Sequence, residues 1–218
     1  MEHHASGGLG EGAGDAQAPW ARALSFAQRT AYAKRANCAG ATTDQAEAAL
    51  RRPSVQVANQ YAYTSCTVAF RPSRDALLMA AARTLRKRID TLEDDRWVEG
   101  QRRRVPGAAQ EEALRWILDR NVDDVLRPVV QAFNEGNFDA VARLTAESWG
   151  SESNAHAMYE PMVAERSARW METLPALLRE GGAVIEVGAL HVTGPSGLVE
   201  QLRAREYRVE STTVPAMP

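Results

Sequence analysis

The chain has 218 residues, 44% hydrophobic and 25% charged, a composition typical of folded globular proteins that excludes global disorder. Its formal net charge of −2 leaves no strong field to draw it to nucleic acid or to an anionic membrane surface. No stretch approaches the roughly 20 apolar residues that a membrane helix needs.

Residues 1–17, MEHHASGGLGEGAGDAQ, read as a disordered lead. They have neither a basic start nor an apolar h-region, so they are not a signal peptide. Localisation stays open, with export left to a longer native N-terminus. His3 and His4 suit casual metal affinity, but a floppy segment makes a poor ligand set. The chain from residue 18 to its end reads as one domain. Residues 21–36 are rich in Ala and Arg and form a helix. Thr42, Thr43 and Asp44 offer caps for a helix over 45–50, and Pro53 opens another over 54–68. Pro72 and Ser73 start the next, with Leu77, Leu78, Ala81, Ala82 and Leu85 as its apolar stripe.

At residues 87–93, KRIDTLE, the period changes to that of a strand. Arg102, Arg103 and Arg104 read as a solvated helix face, since no aromatic residues are interleaved for stacking on nucleic acid. Pro106 and Gly107 break that helix. Further helices follow over 111–118, 122–133 and 138–146. A long one begins at Pro161, with Val163, Ser167, Trp170, Leu174, Leu177 and Leu178 on one face, and stops at Gly181 and Gly182. AVIEVGAL, 183–190, is nearly all apolar and reads as a strand covered on both faces. A turn at 193–197 leads into a short helix, and 206–214 reads as a last strand. The order α-β-α-β at the C-terminus predicts a helix-rich α/β fold. A small mixed sheet of residues 87–93, 183–191 and 206–214 would carry a helical insertion of 18–86 and 96–160.

Cys38 and Cys66 lie 28 residues apart with no C-x-x-C motif. They read either as a disulfide between neighbouring helices or as two buried thiols. His156 reads as a surface residue. Serine-elbow, H-E-x-x-H, Walker A and G-x-G-x-x-G motifs are absent from the sequence.

Three features could carry chemistry. The first is Gly188-Ala-Leu-His191 followed by Gly194 and Gly197. A His closing a buried strand lies where ligands bind in open α/β sheets, and the glycines would let the backbone approach a ligand. It could equally be a satisfied polar residue in a turn. The second is Glu165-Arg166. Either Arg166 faces inward and needs an anionic partner, or Glu165 forms an outward pair with Arg169. The third is Glu93, either facing the same sheet edge as His191 or capping the next helix with Asp94 and Asp95.

These features occur in the same order in a known family. The segment ERSARWMETLPALLREGGAVIEVGALHVTGPSGLVEQLRAREYRVE resembles the C-terminal part of TraB/GumN (TIKI-related) proteins, with Glu-Arg on a helix and Gly-x-x-His at a strand end. SRDALLMAAARTLRKRIDTLEDDRWVEGQ and AFNEGNFDAVARL resemble the family's earlier helix, strand and turn. The resemblance implies an erythromycin-esterase/ChaN-like fold and a metal-dependent, peptidase-like hydrolase, or an inactive binding protein of the same fold. It implies a divalent metal ion at His191, with Glu93, Glu165 and Arg166 as catalytic residues lining one pocket for an unknown peptide or small molecule. Two departures stand out. Ser167 replaces the family's Asn after Glu-Arg. Neither the family's opening strand with its own Gly-x-x-His nor the core strand ending in Glu that follows it is found in this sequence. The expectation is that the chain lacks an upstream segment, or pairs an open sheet edge with a second copy.

Overall fold

The computed structural model describes residues 16–68 and 73–212. His3 and His4, most of the proposed lead, Pro72, and the last two residues of the proposed C-terminal strand lie outside the described residues. The first lobe begins with a short helix, α1 (Pro19–Arg22), and α2 (Phe26–Cys38). The latter is started by a capping box between Ser25 and Gln28. Thr42 and Gln45 form a second capping box that starts α3 (Thr43–Arg51). Next come α4 (Gln56–Ala62) and α5 (Arg74–Thr84), the latter capped by Ser73. Asp94 caps α6 (Asp95–Arg104), and α7 (Gly107–Leu118) resumes directly after Pro106. A helical hairpin follows, α8 (Val122–Asn134) and α9 (Phe138–Glu147), which turn on Gly136 at φ 70° with Asn137 as the cap.

The helix expected to begin at Pro161 begins nine residues earlier, at α10 (Glu152–Tyr159). Pro161 lies inside it. Proline has no N–H for the i→i−4 ladder, and the chain passes it with one wide π turn, Glu160–Ala164, before α11 (Glu165–Trp170). A turn then separates off α12 (Leu174–Glu180). A 3₁₀ turn, Ala189–His191, and α13 (Leu198–Arg203) complete the described residues.

The expected α/β class is incorrect. Among the described residues there is no strand and no sheet. Residues 87–93 and 183–188 run without regular structure, His191 closes a 3₁₀ turn rather than a strand, and Glu206 stands in a turn at φ 65°. The physical reason is that a strand is stable only within a ladder. Among the described residues, no backbone hydrogen bond joins these three segments to one another. Their β-branched residues express a propensity that depends on a neighbour to pack against. Val184 is accordingly 87% exposed. The stripe on α5 is also at the surface, with Leu77, Leu78 and Leu85 all exposed.

Two cores hold the molecule. The larger packs Trp20, Leu24, Tyr32, Leu50, Leu114 and Ile117 between α1–α4 and α7. Arg35 sits within it, 7% exposed, and donates to the carbonyls of Ala62, Ile117 and Arg120 at the ends of α4 and α7. Burial depresses its pKa, and Asp123 partly offsets that effect. Cys38 and Cys66 are joined in a disulfide that ties the end of α2 to the segment after α4. The smaller core packs Trp170, Met171, Leu174 and Leu198, with Leu92, Ile185 and Val187 against them.

Arg35→Met takes the side-chain donor from the Ala62 and Arg120 carbonyls, while Ile117 keeps the Arg120 N–H, and each orphan costs about 1–3 kcal/mol. The expected outcome is a loss of roughly 3 kcal/mol in urea unfolding; a loss below about 0.5 kcal/mol would contradict this role.

Candidate functional site

Arg166 points inward from α11 and Glu165 outward, because adjacent helical residues lie about 100° apart. Arg166 closes a two-pronged pair with Glu93: its Nε donates to Oε2 at 3.0 Å and its Nη2 donates to Oε1. Trp170, four residues on and therefore on the same face, donates its Nε1 to Glu93 Oε2 at 3.0 Å. Arg166 Nη1 donates to the Met162 carbonyl at 3.1 Å. Its cation lies 5.3 Å from the Trp170 ring. The pair is largely enclosed, at 18% and 15% side-chain exposure.

His191 packs its ring on Trp170, centroid to centroid 4.3 Å. Its Nδ1 shares a hydrogen bond of 2.9 Å with Ser167 Oγ. His191 is 5% exposed and Ser167 fully buried. Burial first, and then the Arg166 cation, bring the imidazole pKa down to about 4. Glu93 and the Val163 carbonyl pull the other way. The histidine is therefore neutral at pH 7. Its contact with Ser167 is not a nucleophile–base pair of the usual kind, because no substrate reaches a fully buried hydroxyl.

The glycines differ in what they do. Gly194 adopts φ 78°, and a Cβ on Gly197 would fall 2.3 Å from the Thr193 carbonyl oxygen. Both are demanded by the 193–197 turn. Gly188 has an ordinary φ, and a Cβ there would meet only the His191 ring edge at 3.5 Å. The turn is fastened to α9 by a hydrogen bond from Thr193 Oγ1 to Asp139.

Glu165 is not brought to this cluster. It pairs with Arg104 and accepts from Gln101 Nε2 at 2.9 Å, bordering a separate groove. Arg104 holds its carboxyl below the usual range. Arg169 does not pair with Glu165. It lies near Asp94 and stacks on Trp97. The acidic run divides: Asp94 caps α6, and Glu93 turns inward to Arg166, with no sheet edge there for it to face. His156 is exposed.

Above the cluster lies a cavity of about 790 Å³. His191, Arg166 and Gly188 border it on one side. Val55, Gln56 and Asn59 from α4, Arg102 from α6 and Gln110 from α7 border it on the other. Trp149, Met158 and Met162 supply apolar wall. Sequence reasoning missed this second wall, Trp170 as a donor to Glu93, and Ser167 as the partner of His191. The last had a visible signal: a serine set in the apolar stripe of a helix.

The described residues do not fit a resident divalent ion. Such a site needs three protein ligands around an open position. Glu93 already accepts from Arg166 and Trp170, Glu165 faces another groove, and His191 Nδ1 is engaged by Ser167. Among the described residues, no three His, Cys, Asp or Glu side chains converge as a ligand set.

The fold and site define a helix-rich protein in which a cavity rests on a buried carboxylate–guanidinium–indole cluster. The TraB/PrgY/gumN family model matches residues 6–211, and the chain belongs to that family. No curated protein and no solved structure matches the chain. Among the described residues, no helix is long and apolar enough to cross a membrane.

His191 gives this site a definite pH signature. The unfolded chain takes up a proton near the ordinary histidine pKa of 6.5, which the folded chain refuses until about 4. This contribution to stability is therefore complete above about pH 6.5 and declines as the pH falls towards 4, by roughly 3 kcal/mol. The difference in unfolding free energy between wild type and His191→Phe is expected to shift against the wild type across that window. A difference independent of pH would contradict the assignment.

Proposed function

We propose that this chain is a ligand-binding protein of the TraB/PrgY/gumN family, taking a peptide or small molecule in the cavity above Arg166 and His191. The observation that carries this reading is the commitment of the polar groups beneath the cavity to one another. Glu93 is held by Arg166 and Trp170, and Ser167 is held against His191. Groups locked in this way keep a floor rigid. The cavity has the volume and mixed lining of a small-molecule site, an apolar wall with a few convergent polar groups. Arg102 and Arg103 line it paired with Glu99, and Glu111 lines it too, so the charged part of the lining carries both signs.

The second reading is a metal-dependent hydrolase. What favours it is that His191 and Arg166 border one cavity. It needs ligands beyond the donor set described above.

Gly107 borders the cavity and has open space around its Cβ position, so Gly107→Phe obstructs the mouth without a clash. The probe is 8-anilinonaphthalene-1-sulfonate, an apolar aromatic carrying an anion. Wild type is expected to bind it saturably in the micromolar range, and Gly107→Phe to weaken it about tenfold at unchanged Tm. Equal affinity in the two proteins would overturn the binding reading. Titration with Zn²⁺ separates the hydrolase reading: saturable uptake of one ion per chain, lost in His191→Ala, would favour it, and no such uptake is expected.

A further inference from the structure

After α5 the chain turns at Arg86, φ 51°, and runs without regular structure to Glu93. Residues 87–91 are exposed throughout, and among the described residues no backbone hydrogen bond reaches residues 88–93. Arg88 and Asp90, two apart and so on one face of an extended chain, pair with each other at 2.5 Å, with 75% and 54% of their side chains exposed. Ile89 lies on the other face and is 40% exposed. More apolar surface stands beside this segment. Leu77, Leu78 and Leu85 on α5 are exposed, and Asp75 of α5 stands beside Glu186, two residues from the exposed Val184. An unpaired backbone edge next to bare apolar side chains is a template for another chain. Charges of one sign on such an edge would repel a second copy. Here both signs are present, in the order cation, isoleucine, carboxylate.

We propose that residues 87–91 pair antiparallel with the same residues of a second copy of this chain, about a two-fold axis at Ile89. In that register Arg88 faces Asp90 of the second copy and Asp90 faces its Arg88, so one face carries four charges of alternating sign. On the other face Ile89 meets its own equivalent, and Lys87 meets Thr91. Neighbouring registers are worse. An axis at Arg88 sets arginine against arginine, an axis at Asp90 sets carboxylate against carboxylate, and an axis midway between residues sets each isoleucine against a charge. A short strand pair does not hold two molecules together by itself, and the exposed leucines of α5 and Val184 supply apolar area beside it. The contact is isologous, so it closes at two copies. The cavity lining includes none of these residues, so this surface is independent of ligand binding.

The test is sedimentation equilibrium on the full chain. Wild type is expected to be a reversible dimer with a Kd of about 10 µM. Asp90→Arg and Arg88→Asp each set like charges face to face, and each should weaken self-association at least about tenfold. An equimolar mixture of the two variants restores every contact between opposite charges, and should dimerise within about threefold of wild type. Both positions are exposed, so each variant is expected to keep the Tm of the dilute wild type. Amide hydrogen exchange needs no variant: protection at residues 88–91 of wild type should rise about tenfold as the concentration passes the Kd. A wild type that stays monomeric at about 200 µM would overturn the proposal and leave this surface to a different protein or another segment. A dimer whose strength ignores both variants would overturn it by placing the contact elsewhere. Variants that stay monomeric when mixed, or exchange at residues 88–91 that does not change with concentration, would equally count against it.

Discussion

The pair between Glu93 and Arg166 governs the second half of this molecule. An arginine and a carboxylate at 18% and 15% exposure are expensive to remove from water, and each tolerates burial because the other is there. Geometry adds to charge. The guanidinium presents two parallel donors to the carboxylate, and the Trp170 indole N–H takes a further position on the same oxygen. This fixes the segment 87–93 against α11, although no ladder holds it there. Trp170 in turn is the surface on which His191 lies, so the turn carrying Gly188, Gly194 and Gly197 is located by the same cluster. An ion pair here has taken over the positioning task that a sheet performs in an α/β fold.

The first lobe is organised by a comparable device with neutral partners. Arg35 gathers the carbonyl ends of α4 and α7 at a point where helix dipoles favour a cation. That lobe supplies the far wall of the cavity through Val55, Gln56 and Asn59. The cavity therefore has one wall set by a buried arginine among carbonyls and a floor set by a buried arginine on a carboxylate. The polar groups beneath it are mutually satisfied.

Much of the helical organisation was legible because helices announce themselves locally. The Ser25–Gln28 and Thr42–Gln45 capping boxes, the Asn137 cap and the stop at Gly181 are all short-range signals. The inward turn of Arg166 was one of two readings open at the helix face, and only its partner decided between them. The strands were not legible, because AVIEV carries a propensity and not a neighbour, and pairing is a long-range property. The stripe on α5 misled for the same reason: helical spacing shows that a face exists, not what covers it. Pro161 misled about a boundary, since a π turn let one helix run through it. The cavity was out of reach because its walls come from residues about 50 to 140 positions apart, and no sequence period records that.

The most direct test is a double-mutant cycle on Glu93→Gln and Arg166→Met, read by urea unfolding at pH 7. Removing one partner leaves a buried charge alone, whereas removing both leaves none, so the losses should not add. A coupling energy of about 2 kcal/mol or more is expected, with 8-anilinonaphthalene-1-sulfonate affinity falling in both single variants as the cavity floor loosens. Additive losses with coupling below about 0.5 kcal/mol and unchanged probe affinity would contradict it.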